Sequence, residues 1–241
     1  MGQPLSNLRR RRSARTLRGF AARPTPSAPP NLSRETLINA LQTVAAYITT
    51  KNQDITLIVV GGTVNTMLLR SRPNTHDVDF FNDNLTPAEV KSLSKATKLA
   101  FKRNRILGQG WLNNHTVLFI PLHIRRILMM EALDQHAIVF QARGLTILAA
   151  PWEYLFCAKV HRLSGSGIST VQPYDQDDAV HYLERYLSQH STASVTQVTV
   201  RAWFAQYLLH WTTETELLLL AVNSTYKITF NAQHDPINLN N

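Results

Sequence analysis

The sequence predicts an α/β chain, on three observations. Short apolar runs bounded by turn residues alternate with segments whose apolar residues recur at helical spacing. A Gly-Gly pair directly follows the first apolar run. The segment after residue 150 is helical in pattern almost throughout. With 44% hydrophobic residues over 241 positions, the chain has the composition for one sizeable core plus a helical portion.

The order begins at Ser33, a helix cap with Glu35 in the first turn, and Leu37, Ile38, Leu41, Val44, Ala45 and Ile48 mark one apolar helical face. Ile55 to Val60 reads as a buried strand ending in the Gly61-Gly62 turn, and Thr63 to Leu69 as a helix. Arg70 to Thr75 is a loop, and His76 to Phe81 alternates as a second strand. Thr86, Pro87 and Glu89 are the start signature of a helix that runs to about Lys102 and is basic on its far side. Thr116 to Ile120 is expected to be a third strand, Ile124 to Leu133 a helix, and Ile138–Phe140 with Leu145–Leu148 a hairpin. Pro151 opens a helix to about Leu163, and Asp175 or Asp177 opens another through Leu187. Residues 195–221 are expected to be helical, with a short strand at Tyr226–Phe230. The expected division is a tail over 1–32, a core over 33–150, a helical portion over 151–222 and a polar tail over 223–241.

Charge is concentrated at one end. The net charge is +9, and residues 1–34 hold eight Arg with no Lys and no acid, leaving +1 for the rest. Together with Pro24, Pro26, Pro29 and Pro30, this composition predicts a disordered tail. Met1-Gly2-Gln3-Pro4-Leu5-Ser6 ahead of Arg9–Arg12 fits an acylated, basic membrane-surface anchor, a mitochondrial transit peptide and a nuclear or nucleic-acid-binding arm, and the sequence leaves these open. No apolar run approaches the roughly 20 residues of a membrane helix, and one cysteine, Cys157, excludes an internal disulfide. The expected place is intracellular, the cytoplasm first, and the expected state a monomer.

The chemistry gathers at Gly61-Gly62-Thr63 and Asp77-Val78-Asp79-Phe80. Glycines let backbone approach a phosphate, and the helix behind them offers free N–H groups. On a strand, residues two apart share a face, so Asp77 and Asp79 form a carboxylate pair suited to a hard cation such as Mg²⁺. Arg70 and Arg72 flank the loop leading into the pair. No histidine pair has zinc-site spacing, and the set Trp203, Phe204, Tyr207, Leu208 and Trp211 reads as core.

With these motifs the chain resembles the DNA polymerase β-like nucleotidyltransferase superfamily, in particular a group of small fungal members and the AbiEii-type toxin nucleotidyltransferases. The resemblance covers roughly residues 34–190. It implies a mixed sheet flanked by helices that binds a nucleoside triphosphate through Mg²⁺, with Gly61, Gly62 and Thr63 on the phosphates and Asp77 and Asp79 on the metal. The AbiEii-type pattern adds a helix lysine, here Lys159 with Arg162 one turn on, and an acid opening the next helix, here Asp175 or Asp178. The implied activity is transfer of a nucleotidyl group to a hydroxyl of an RNA, a protein or a small molecule. Active members carry a third carboxylate on a neighbouring strand, and the expected strand Thr116–Ile120 has no acid. Either Asp175 or Asp178 substitutes for it as a catalytic group, or the chain is a catalytically degenerate member that binds a nucleotide or a partner.

Overall fold

The computed structural model describes residues 30–167 and 170–239. The acylation and arginine motifs of the N-terminus lie outside the described residues. The fold is mixed α/β. The chain divides into two compact units, Met1–Ala149 and Ala150–Asn241.

In the first unit a two-residue strand β1 (Leu32–Ser33) leads into α1 (Arg34–Thr49). Ser33 caps the helix by accepting from the Thr36 amide at 3.3 Å. Leu32 lies within the expected tail, yet it is fully buried and paired with Thr75 of β3 (Asn74–Thr75). Order therefore reaches further toward the N-terminus than the composition indicates, because one leucine finds a strand partner.

The main sheet has five strands: β2 (Ile55–Val60), β4 (Val78–Phe81), β5 (Leu112–Asn113), β6 (Ile138–Ala142) and β7 (Leu145–Ala149). Their spatial order is β5-β4-β2-β7-β6. β2 runs antiparallel to β4 and parallel to β7, β4 runs parallel to β5, and β6 and β7 form the expected hairpin. The central strand β2 has Leu57, Ile58 and Val59 fully buried, which explains a continuous apolar run instead of an alternating one. Parallel strands β4 and β5 need a crossover, supplied by α3 (Pro87–Arg103). Thr86 and Glu89 close the expected capping box at its start. α1 packs against α3 and against β6 and β7, while α4 (Leu122–Gln135) packs against β7.

The expected strand at Thr116–Ile120 is not formed. His115–Leu118 is a 3₁₀ turn, and Leu118 and Phe119 are exposed. The Asn113 side chain accepts from the His115 amide at 2.9 Å, which starts the turn, and Pro121 follows it. A contiguous apolar run carries no period that separates strand from turn. The strand beside β4 is instead the two-residue β5, reached through Gly108 and Gly110, both at positive φ.

The second unit is built on α5 (Trp152–Leu163), against which α6 (Asp175–Gln189), α7 (Gln197–Gln206) and α8 (Thr213–Phe230) pack. Residues 195–221 form two helices, not one. Leu208 adopts a left-handed conformation (φ 55°) and ends α7, and Thr212 caps the next start. Tyr226–Phe230 continues α8 in place of the expected strand, since Tyr226 is buried. The expected polar tail after residue 222 is also tied down. Asn223 is buried and exchanges hydrogen bonds with the Ile237 backbone, and β9 (Ile237–Asn238) pairs in parallel with β8 (Val195–Thr196). No helix among the described residues is long and apolar enough to cross a membrane.

Candidate functional site

The register of β2 and β4 brings the two sequence motifs together. Val60 pairs with Asp79, so the Gly61-Gly62 turn leaves the sheet beside the carboxylate pair. Thr63 fastens the two segments: its buried hydroxyl donates to the Asp77 carbonyl at 2.8 Å. The strand expected over His76–Phe81 is shorter: Asp77, just before β4, and Asp79 within it are half-buried, while Val78, Phe80 and Phe81 are in the core, so the alternation ends at Phe80.

The two glycines are required for different reasons. Gly61 sits at φ 68°, ψ −148°, a region open essentially to glycine alone, with nothing near its missing side chain. At Gly62 the limit is space: a Cβ there would lie 2.5 Å from Thr75 Oγ1 and 2.9 Å from Arg72 Nη1. Behind them one α-turn, α2 (Gly62–Val64), continues as a π-helix over Asn65–Leu69, a wide-turn geometry that recurs at functional sites. Arg34 Nε donates to the Met67 carbonyl of this turn at 3.1 Å, and Asn65 bonds Ser71 through backbone and side chain. The Thr66 hydroxyl in the same turn is buried without a hydrogen-bond partner among the described residues. Arg70 is the exposed, left-handed end of the π-helix, and the Arg72 guanidinium reaches back to the Gly62 backbone.

Asn113 is the residue that sequence reading missed. β5 pairs it with Asp79, and its amide donates to Asp77 Oδ2 at 3.0 Å. It is buried on β5, the strand beside Asp79. A strand of two residues gives no periodic signal, so only the pair Trp111-Leu112, both buried, hinted at it. Burial pushes the Asp77 carboxyl above the usual carboxylate range, against the Asn113 amide and the charges of His115 and His76, which pull it down.

Lys159, Asp175, Asp178 and Arg162 lie together in the second unit. Lys159 Nζ is 2.7 Å from Asp175 Oδ1 and 2.6 Å from Asp178 Oδ2, and all three side chains are essentially withdrawn from solvent. Arg162 Nη1 reaches Asp175 Oδ1 at 3.3 Å, and the Gln172 amide donates to Asp175 Oδ2 at 2.8 Å. Lys159 is therefore buried between two acids. Asp175 is the first residue of α6 rather than its cap, which is Tyr174. Cys157, one turn before Val160 on the same helix, is a buried thiol pushed well above its ordinary pKa by desolvation.

The fold and the turn-plus-carboxylate arrangement define an α/β chain with a candidate anion and cation site at one end of β2 and β4. The chain belongs to the family described as Domain of unknown function (DUF7582), which spans residues 31–233. No curated protein and no solved structure matches it.

Proposed function

We propose that the first unit binds the triphosphate of a nucleotide with Mg²⁺, as a nucleotidyltransferase-like protein in which transfer has been lost. Gly61, Gly62 and Thr63 would face the phosphates, with Arg72 beside the turn and Arg70 at its far end. Asp77 and Asp79 would hold the metal. The donor set is suited to the ion, because it is all oxygen, and a carboxylate kept partly buried gains from a nearby cation. The observation that carries the binding-only reading is Asn113: a neutral amide, hydrogen-bonded to Asp77 Oδ2, stands where a further acid would complete the cluster. Lys159 pairs with both buried acids, which supports a role in holding the second unit together.

One observation favours the second reading, an active transferase acting on a hydroxyl of an RNA, a protein or a small molecule. Asp77 and Asp79 both stand beside the Gly61-Gly62 turn, and a carboxylate pair there is what metal-assisted attack of such a hydroxyl on the triphosphate needs. The two readings part in one experiment: α-labelled triphosphates, Mg²⁺ and total cellular RNA or lysate, with the wild type and the Asp77→Ala/Asp79→Ala variant. Mg²⁺-dependent triphosphate binding without label transfer supports the binding reading. Label transfer that the double variant lacks overturns it in favour of the enzyme. Neither binding nor transfer by the wild type removes both.

A further inference from the structure

The helix α8 of the second unit is apolar on two sides. Its inner face, with Thr215, Leu219, Val222 and Tyr226, is buried, and α5 and α6 pack against the helix. Thr213, Leu217, Leu220, Ser224 and Ile228 are exposed and recur at steps of four, three, four and four residues. That spacing gathers them into one stripe along the outer side. Leu217, Leu220 and Ile228 are 56%, 54% and 84% exposed, so more than half of each apolar residue faces water. From Leu217 to Tyr226 the helix has no charged residue. A surface helix ordinarily turns charge outward, and one that is apolar all round is covered all round.

Charge lies along one edge of this stripe. Glu216 pairs with Arg201, and Lys227 pairs with Asp235 at 2.7 Å, and all four side chains remain about half exposed. Glu216 and Lys227 are eleven residues apart, close to three full turns, so both stand on the same edge of the helix. Each end of the stripe thus carries an acid-base pair, with the acid on α8 at the first end and the base on α8 at the other. A second copy of the helix, turned end for end, brings its Lys227 beside Glu216 and its Asp235 toward Arg201, at both ends of the contact. That order also sets opposite helix dipoles side by side. In the register centred at the level of Val222, Leu220 meets Ser224 of the second copy, large against small. Leu217 then meets Ile228 of the second copy.

We infer that α8 pairs antiparallel with α8 of a second copy of this chain, in place of the monomer expected from the sequence. From Thr213 to Ile228 the stripe is about 22 Å long and about 10 Å wide. Each copy therefore contributes well under the about 800 Å² per partner of a standard stable interface. The association is accordingly weak and reversible, in the micromolar range or above. An anionic membrane is the weaker match. A helix that lies on lipid carries surplus Lys or Arg beside its apolar face, whereas Arg201 and Lys227 each already hold an acid.

The test is sedimentation velocity of the full chain without Mg²⁺ or nucleotide, so it succeeds or fails independently of the triphosphate reading. Concentrations run from about 5 to about 200 µM, a range that brackets a weak dimer. Leu217→Gln/Ile228→Gln removes the apolar ends of the stripe. Lys227→Glu sets acid against acid across the contact, and Lys227→Glu/Glu216→Lys restores opposite charges there. Circular dichroism confirms the fold of each variant. The expected result is a wild-type dimer fraction that rises with concentration, and a glutamine variant that associates about tenfold more weakly or worse. Lys227→Glu should weaken association about threefold, and the exchanged pair should recover part of that loss. The inference is overturned if the wild type stays monomeric at about 200 µM, a concentration at which a weak interface of this kind is populated. It is also overturned if the glutamine variant keeps the wild-type affinity, or if the exchanged pair associates no better than Lys227→Glu. A monomeric wild type that binds phosphatidylserine vesicles, and loses that binding in the glutamine variant, overturns it in favour of a membrane.

Discussion

Replacing Lys159 by Met tests whether the ionic cluster of the second unit is structural. The ammonium is held at 2.7 and 2.6 Å by two carboxylates with no exposed side-chain surface. Methionine keeps the volume and the helix propensity of α5 but leaves Asp175 and Asp178 facing each other without their cation. Asp175 also has Arg162 at 3.3 Å. Removing one partner of a buried pair costs about 3–5 kcal/mol, a large part of the roughly 5–15 kcal/mol that holds a protein folded. For a chain of this length each kcal/mol moves the melting temperature by about 2–4 °C, so Lys159→Met should melt about 6–20 °C lower by calorimetry. The triple variant Lys159→Met/Asp175→Asn/Asp178→Asn removes the stranded charges and should recover more than half of that loss. A single variant that melts within about 1 °C of the wild type, or a triple variant no better than the single, would refute the structural role.

Three further outcomes follow from the first unit. A carboxyl raised on folding, as Asp77 is, adds stability at pH below its ordinary value near 4 and gives it up as pH rises through the folded value. Asp77→Asn should therefore melt above the wild type at pH 7.5, with the gap closing toward pH 3.5 in fluorimetric melts, and a lower melting temperature at pH 7.5 contradicts this. Asn113→Asp places a third acid beside Asp77 and Asp79, so it should destabilise the protein in chelator and be rescued by millimolar Mg²⁺, which melts with and without the ion will reveal. At the turn, Gly61→Ala meets only backbone strain, whereas Gly62→Ala meets Thr75 and Arg72. Each should cost about 1–3 kcal/mol in urea unfolding. Adding Thr75→Ala should relieve the Gly62 variant and leave the Gly61 variant unchanged.

Much of this architecture was legible in the sequence. The cap signatures at Ser33 and Thr86, the buried run Ile55–Val60 ending in glycines, and the hairpin around Gly144 rest on local chemistry, and local chemistry is what a sequence displays. The carboxylate pair was visible because β4 alternates. What escaped reading depends on contacts between distant segments. Leu32 is ordered by Thr75, and Asn223 anchors Ile237 from 14 residues away. Asn113 gains its meaning only from a two-residue strand laid beside Asp79. The run Val117–Ile120 misled because four adjacent apolar residues fit a strand and a turn equally well. Lys159, Asp175 and Asp178 were singled out together, but the sequence does not display that both acids close on the lysine and bury it.

The central claim is that the Gly61-Gly62 turn and the Asp77–Asp79 pair form one triphosphate and Mg²⁺ site. Isothermal titration of ATP and of GTP into the full chain, with Mg²⁺ and then with chelator, measures this directly beside the Asp77→Asn/Asp79→Asn variant. The account predicts saturable binding of a triphosphate that requires Mg²⁺ and is weakened about tenfold or more in the variant. Absence of binding to the wild type, or binding that the variant retains in full, contradicts it.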